Sequence, residues 1–260
     1  MAKELAIPGF TIARIEDEVS STMDVAREVI PSLGVGAGVV CALSQSAGRG
    51  RQGRRWSSTH GAMMATFLFQ TPAPVAVLSG YSLVVGLGIV DAFERFGARL
   101  QLKWPNDLVV VKNEELKKIG GILIEVQDLG DKRVLLVGVG VNLARVPDDV
   151  PHAASIEEIS GRLLSVEDSL VAVAEQLRIA HELFVSLGGF ARFRERWEDA
   201  SCFAKGKTEI VLDLGEREAA GTYSGVDERG SLLLEVVGKL EAFHSGHALR
   251  IRNLKSFSVT

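Results

Sequence analysis

Two long apolar runs in the middle of the chain constrain the fold most. Residues 119–126 and 134–141 are rich in valine, isoleucine and leucine, and a short polar stretch separates them. Runs of this length and composition are typical of buried strands. We predict that the two runs pair as a hairpin, and that further strands lie at residues 10–15, 39–43, 63–69, 100–104 and 108–111.

Helical spacing of apolar residues occurs between these strands. It predicts long helices at residues 75–96 and 166–184 and a further helix at 190–197. Ser21 and Asp24 have the spacing of a capping box, which predicts a helix from there to about Pro31. Helices and strands are therefore interspersed, and the predicted fold class is α/β (α+β).

The pattern changes near residue 205. Beyond it, short alternating segments are separated by turn signals at residues 214–216 and 227–230. Such segments are typical of a small β-barrel-like module. We predict two domains, residues 1–204 and 205–260, and expect the shorter one to pack on the larger because it is too small to be stable alone.

The composition excludes several classes of protein. The 260 residues are 47% hydrophobic and 24% charged, with a net charge of −4, which disfavours a general polyanion-binding surface. Cys41 and Cys202 form no C-x-x-C pair, as expected in a reducing cytoplasm. The amino terminus lacks the apolar core of a signal peptide, and residues 83–90 are too few to span a bilayer. We expect a cytoplasmic protein without membrane contact.

A basic loop at residues 48–56 carries the clearest chemical signal. It contains four arginines and three glycines and ends at Trp56. Arginine holds two oxygens of a phosphate or carboxylate, glycine lets the backbone approach an anion, and an indole offers a flat face to a planar group. The loop also fits G-x-G-x-x-G, but no helical pattern follows, so we reject a dinucleotide site. We predict that the loop forms a clamp over a phosphorylated, aromatic ligand. The alternative is a solvated basic loop or a nucleic-acid patch.

A second motif spans residues 103–107. Lys103, Trp104, Pro105, Asn106 and Asp107 place a cation, an indole, a rigid turn, an amide and a carboxylate between two predicted strands. An ordinary β-turn explains the proline and the asparagine. It explains the lysine and the tryptophan poorly, so a functional role remains open.

Two more positions in the predicted hairpin are candidate ligand contacts. Lys118 stands at the start of an apolar strand, followed by Gly120 and Gly121, which suggest close approach of a ligand or another backbone. Asn142 ends the second strand after a Gly-x-Gly, and asparagine can read the edge of adenine. The alternative for Lys118 is a surface lysine whose aliphatic stem covers the strand end. The alternative for Asn142 is an ordinary turn residue.

Metal ligation and a P-loop are disfavoured. His244 and His247 are close in sequence, but no third ligand lies nearby, and we predict no metal site. Because no Gly-Lys-Ser/Thr motif occurs, ATP would have to be held by arginines and lysines.

These motifs, in this order, resemble biotin protein ligases. The matching segments are Ser21 with Thr22, Gln45 with residues 48–56, and residues 103–107, 118–125 and 138–142. The resemblance runs from about Phe10 to the end of the chain. It implies a mixed β-sheet core similar to class II aminoacyl-tRNA synthetases (the biotin–lipoate ligase fold) with helices on one side. A small C-terminal SH3-like β-barrel is implied to follow.

The resemblance also implies roles for particular residues. Catalytic roles are implied for Lys118, Arg51 and Asp107, the last of which would orient or deprotonate the incoming lysine. Met23 stands where many relatives carry asparagine. The implied biotin-binding residues are Ser21, Thr22, Met23, Gln45, Arg49, Gly50, Arg51 and Lys118. The implied ATP- or adenylate-binding residues are Arg49, Arg51, Trp56, Lys103, Asn106 and Asn142.

The implied activity is ATP-dependent biotinylation of one lysine on a biotin carboxyl carrier protein. Biotinyl-5′-AMP is the implied intermediate, Mg²⁺ accompanies ATP, and pyrophosphate and AMP leave. The implied acceptor is the carrier domain of a biotin-dependent carboxylase such as acetyl-CoA carboxylase. A lipoate–protein ligase and a non-catalytic biotin-binding protein are the alternatives, and a homodimer is left open.

Regulation is the last expectation. Relatives that repress transcription carry a winged helix before the Ser-Thr helix, whereas only 20 residues precede Ser21. We therefore expect a monofunctional ligase without DNA binding.

Overall fold

A computed structural model describes residues 2–56, 61–112, 114–146, 152–215 and 217–255. Its five α-helices within these ranges are α1 (Thr22–Val29), α2 (Tyr81–Glu94), α3 (Ile156–Ser160), α4 (Val166–Ser186) and α5 (Arg194–Ala200). The strands of the first sheet are β1 (Lys3–Glu4), β2 (Phe10–Val19), β3 (Ala37–Gln45), β4 (Ala62–Thr71), β5 (Gln101–Lys103), β6 (Asp107–Lys112), β7 (Glu115–Asp128) and β8 (Arg133–Asn142). The second sheet contains β9 (Glu209–Asp213), β10 (Glu218–Val226), β11 (Leu232–Val236), β12 (Lys239–Phe243) and β13 (His247–Arg252).

The first sheet is mixed, as predicted. Its eight strands follow the order β1-β2-β3-β4-β8-β7-β6-β5. Only β2 and β3 pair in parallel among these neighbours, and the predicted hairpin is formed by β7 and β8. The second sheet is antiparallel, in the order β12-β11-β10-β9-β13. The α/β class and the small C-terminal β-module are therefore confirmed, whereas the boundary at 204/205 stays a prediction and residues 256–260 lie outside the described residues.

Helices cover both faces of the large sheet. Side chains such as Cys41 and Phe67 point to the face on which α2 and α4 pack. The alternate residues, including Val40 and Leu68, face Met23 of α1 in a separate cluster. The implied arrangement with helices on one side is therefore wrong for α1. The reason is that successive side chains of a strand point to opposite faces of the sheet, which leaves a second apolar face that α1 covers.

The predicted helix at 75–96 is two elements. Residues Val75–Leu78 form a 3₁₀ turn, and Gly80 adopts φ +76 before α2 begins. That left-handed conformation is open to glycine and strained for other residues. Within α2, Gly88 lies so close to α4 that an added Cβ would meet Leu177 at 3.0 Å, so this glycine permits close helix packing.

Smaller differences concern helix ends. The helix expected to reach Pro31 ends at Val29 and continues as a 3₁₀ turn, Ile30–Ser32. Helix α3 was not anticipated, although Ser155 and Glu158 form a complete capping box there. None of the helices within the described ranges is long and apolar enough to cross a membrane.

A buried histidine links α4 to the sheet and to α2. His181 Nε2 lies 3.2 Å from the Gln70 carbonyl oxygen, which can only accept, so Nε2 carries the proton and Nδ1 accepts from the Tyr81 hydroxyl at 2.9 Å. Burial lowers the pKa of His181, and the Gln70 carbonyl and Glu182 offset part of that effect. Burial therefore favours the neutral ring in the folded protein.

The stability of the fold should depend on this histidine at acidic pH. Because the folded pKa lies below the unfolded value of about 6.5, the unfolded chain binds more protons in that window, and the free energy of unfolding falls as pH falls below about 6.5. Urea unfolding between pH 5 and 7.5 should show a shallower pH slope in His181→Gln than in wild type. Equal pH slopes for His181→Gln and wild type would contradict the account.

Candidate active site

One cavity opens between the start of α1, the basic loop and the β5–β6 turn, with β7 and β8 beneath them. A short segment of the second sheet also reaches it, through Gly246, His247 and Ala248. The predicted site residues that line this cavity are Ser21, Thr22, Met23, Gln45, Arg49, Gly50, Arg51, Trp56, Lys103, Asn106, Asp107 and Lys118. All of the predicted site residues except Asn142 are therefore brought together.

The end of the cavity at α1 is polar on one side and apolar on the other. The predicted capping box is wrong, because the Ser21 side chain makes no cap hydrogen bond. Instead, Gln45 Oε1 accepts from the Thr22 backbone N–H at 2.7 Å and from its hydroxyl at 3.2 Å. Met23 is buried, and its Sδ lies 3.3 Å from where a Cβ on Gly138 would stand. A polar rim of hydroxyls and amide therefore borders an apolar floor.

The basic loop folds back on itself. Arg49 and Arg55 form a β-bridge, and the Gly50 N–H donates to the Arg54 carbonyl at 2.7 Å. Gly48 is required for this closure, since a Cβ there would lie 2.8 Å from the Trp56 carbonyl oxygen. The residues that follow Arg51 form only a 3₁₀ turn, Arg51–Gly53, in agreement with the rejection of a dinucleotide motif.

The arginines of this loop have different partners. Arg49 holds the Asp24 carboxylate with both terminal nitrogens, at 2.6 and 3.1 Å, and this pairing keeps the pKa of Asp24 below its usual range. Arg51 donates to Asn106 Oδ1 at 3.1 Å, and burial lowers the pKa of its guanidinium. A partly desolvated cation with one neutral partner retains donors for an anion.

The Trp56 ring lies flat over the sheet. An added Cβ on Gly140 would meet the ring at 2.6 Å, and one on Gly121 at 3.6 Å. Lys118 Nζ is 5.7 Å from the ring centroid, within the range of a cation–π contact. Trp56 Nε1 is buried and has no hydrogen-bond partner among the described residues. The strand glycines therefore make room for the indole.

The β5–β6 turn supplies the charged centre of the cavity. Asp107 Oδ2 accepts from Lys103 Nζ at 2.9 Å, and Oδ1 accepts from Lys118 Nζ at 2.5 Å. Burial raises the pKa of the Asp107 carboxyl, but Lys103 and Lys118 outweigh it and hold that pKa below the usual range. Asn106 is fixed by mutual bonds with the Ile122 backbone, both at 2.9 Å. One largely buried carboxylate, 12% exposed, thus holds two ammonium groups in place.

Residues 17–142 match the model of the biotin/lipoate A/B protein ligase family. This part of the chain is therefore similar to that family. It is 33% identical to the bifunctional ligase/repressor BirA of Escherichia coli over 209 residues, which are 78% of this chain but 63% of that protein, so it spans less than two thirds of that relative. It is 29% identical to the biotin–[acetyl-CoA-carboxylase] ligase of Paracoccus denitrificans, covering 87% of this chain and 98% of the relative.

A solved structure shows a similar fold over nearly the whole chain. The biotin protein ligase of Aquifex aeolicus in complex with biotin and ATP has a TM-score of 0.77 and 28% identity, covering 94% of this chain and 99% of that one. The mixed sheet and the C-terminal antiparallel sheet of this chain therefore match the fold of that ligase.

Asn142 is placed differently from its prediction. Its side chain is buried and Nδ2 donates to the Ala154 carbonyl at 3.1 Å. It is not among the described residues that line the cavity. Its implied contact with ATP stays a prediction, while the geometry gives it a structural bond at the end of β8.

His247 is a lining residue to which sequence reasoning gave no role. Burial lowers its pKa, Arg54 and Lys103 nearby lower it further, and its Nδ1 is buried without a hydrogen-bond partner in the described ranges. No local motif signals it, because β13 reaches the cavity only through the docking of the second sheet. Among the described residues no group of three possible metal ligands occurs.

Removing the shared carboxylate should destabilise the protein. In Asp107→Asn, Lys103 keeps a charge whose side chain is only 9% exposed, and breaking one partner of a buried pair costs about 3–5 kcal/mol. Asp24→Asn is the matched control, because its carboxylate is 37% exposed and should cost under about 1 kcal/mol. Urea unfolding at pH 7 measures both, and equal losses would contradict the importance of the Asp107 pairs.

Proposed function

We propose that the protein attaches biotin to a lysine of a biotin carboxyl carrier protein, using ATP and passing through biotinyl-5′-AMP. The observation that carries the proposal is one cavity with two different ends. The end at α1 has a polar rim over an apolar floor, and the end at the β5–β6 turn is lined by lysines. Support also comes from the solved Aquifex aeolicus ligase, which is described with biotin and ATP bound. The Paracoccus denitrificans relative, a biotin–[acetyl-CoA-carboxylase] ligase, indicates the class of acceptor.

Biotin is proposed to bind at the α1 end. Hydroxyls of Ser21 and Thr22 and the amide of Gln45 suit a polar ring, while Met23 suits its apolar side. Thr66 donates to the Thr22 hydroxyl at 2.9 Å, so the orientation of that hydroxyl is already set. Pre-set donors and acceptors reduce the entropy cost of binding a small polar ligand.

Adenylation requires two anions to meet. The biotin carboxylate attacks the α-phosphorus of ATP, and pyrophosphate leaves. Arg51, Lys103 and Lys118 face this region of the cavity, and we infer that they neutralise the charge that accumulates there. Positioned cations in a partly water-excluded site are effective because they need little reorganisation during the reaction.

Transfer requires an acceptor amine at the acyl carbonyl, with AMP as the leaving group. The lowered pKa of Asp107 makes its carboxylate a weak base. Of the two implied roles, orientation of the incoming lysine is therefore favoured over its deprotonation. A shared carboxylate already shown to hold ammonium groups at 2.5–2.9 Å has the geometry for that role.

Mg²⁺ is proposed to enter as part of the nucleotide substrate. The charged centre has one carboxylate, Asp107, and two lysines occupy it. These residues do not fit a protein-held divalent cation, which prefers several oxygen ligands. Mg²⁺ would thus be held by the phosphate oxygens of ATP. A cytoplasmic location and the lack of DNA binding stay predictions, and the question of a homodimer stays open.

One incubation separates this proposal from its alternatives. The protein is mixed with MgATP and either biotin or lipoate, with and without a biotin carboxyl carrier domain, and pyrophosphate release and lysine modification are followed. A biotin ligase releases pyrophosphate with biotin and modifies the carrier. Preference for lipoate indicates the lipoate–protein ligase, and biotin binding without pyrophosphate release indicates a binding protein.

Lys118 provides the sharpest single substitution. Lys118→Ala should slow adenylate formation by about 10²–10³-fold, as for other preorganised charge donors. Folding should survive, because the side chain is 41% exposed. Lys117→Ala is the control, since its side chain does not line the cavity. Near-normal pyrophosphate release by Lys118→Ala, or an equal loss in both variants, would overturn the assignment.

A further inference from the structure

Trp104 sits inside the charged turn and borders the cavity, yet its indole N–H is directed to the second sheet. The residue is 2% exposed, and Nε1 donates to the Gly230 carbonyl oxygen at 3.0 Å. Its neighbours Lys103, Asn106 and Asp107 carry the polar chemistry of the cavity. The bond therefore joins the centre of the site to the turn between β10 and β11.

The turn that receives this bond is internally rigid. Asp227 accepts from the backbone N–H groups of Arg229 and Ser231 at 2.9 and 2.8 Å, and its carbonyl accepts from the Gly230 N–H at 3.0 Å. Such a carboxylate-fixed turn holds its carbonyl oxygens in defined directions. The Gly230 carbonyl is thus a fixed point to which the indole is attached.

The same turn is also fastened to the start of α2. Ser79 Oγ donates to the Arg229 carbonyl at 2.7 Å. A Cβ on Gly230 would lie 2.8 Å from the Gly80 Cα, so the two backbones are in close contact. The turn is consequently docked at two places on the large domain, once at α2 and once at Trp104.

Strand β5 is held from the same side. The Cys202 N–H donates to the Leu102 carbonyl at 2.9 Å, and Gln101 Nε2 donates to the Lys255 carbonyl at 2.7 Å. Strand β5, which carries Lys103, is therefore paired with β6 on one side. On its other side it contacts Cys202 and Lys255, which precede and follow the second sheet in the chain. Displacement of that sheet would move Lys103.

We propose that Trp104 is a positioning residue that transmits the docking of the second sheet to Lys103, Asn106 and Asp107. The indole N–H bond to Gly230 sets the position of the turn, and the turn sets the ammonium, amide and carboxylate that handle ATP and the acceptor lysine. This inference rests on the proposed function, because it assigns ATP to this end of the cavity. The α1 end, assigned to biotin, has no contact with Trp104 among the described hydrogen bonds.

The test is Trp104→Phe in the full chain. Phenylalanine retains a buried ring and deletes the N–H. Biotin affinity, measured by calorimetry, should change by less than about 2-fold, while the turnover number for pyrophosphate release falls by roughly 10- to 100-fold, the scale expected when reacting groups are misplaced by about 1 Å. Ser79→Ala, which removes the other bond to the turn, should cause a smaller loss in the same direction.

Tyr81→Phe is the matched control. It also deletes one polar hydrogen from a buried aromatic side chain, but that hydrogen bonds to His181, and Tyr81 does not line the cavity. It should lower the melting temperature without a selective loss of turnover. Unchanged turnover in Trp104→Phe, or equal losses of biotin affinity and turnover, would overturn the positioning role. Absence of pyrophosphate release by the wild type would instead overturn the proposed function.

Discussion

A carboxylate shared by two lysines is the interaction on which the site depends. Lys103 and Asp107 are cross-strand partners in the β5–β6 hairpin, and Asp107 faces Gly121 of β7, three residues beyond Lys118. Strand pairing alone thus brings the three charges together. Two nearby ammonium groups would repel in a partly buried site, and the Asp107 carboxylate offsets that repulsion. Lys103 and Lys118 can therefore lie close together in the cavity.

Glycines in β7 and β8 leave the floor of the cavity open. A sheet surface with side chains at Gly121, Gly138 and Gly140 would fill the cavity. Without them, Trp56 lies against the strands and Met23 approaches Gly138. This flat floor leaves room in the cavity for the Trp56 indole, the Met23 thioether and the proposed substrates at the same time. The basic loop then covers this floor with cations from above.

Much of this arrangement was predictable because it is encoded locally. The β7–β8 hairpin follows from two long apolar runs, and the basic loop and the 103–107 motif carry residue types that ordinary turns do not explain. Features that depend on tertiary contacts were missed. The Gln45 bond to Thr22 replaces the expected capping box, His247 reaches the cavity through the second sheet, and Gly80 divides a segment whose periodicity alone predicts one helix. In the first two cases the deciding partner is distant in sequence, whereas Gly80 acts through its own left-handed backbone conformation.

The most direct measurement is the structure of the protein with a non-hydrolysable analogue of biotinyl-5′-AMP. The account predicts the biotin ring against Thr22 and Gln45 and the phosphate near Arg51. It also predicts that Lys118 Nζ leaves Asp107 to contact the acyl–phosphate junction, while Lys103 keeps its carboxylate partner. An analogue bound outside this cavity, or bound within it while Lys118 remains paired with Asp107 and distant from the junction, would contradict the account.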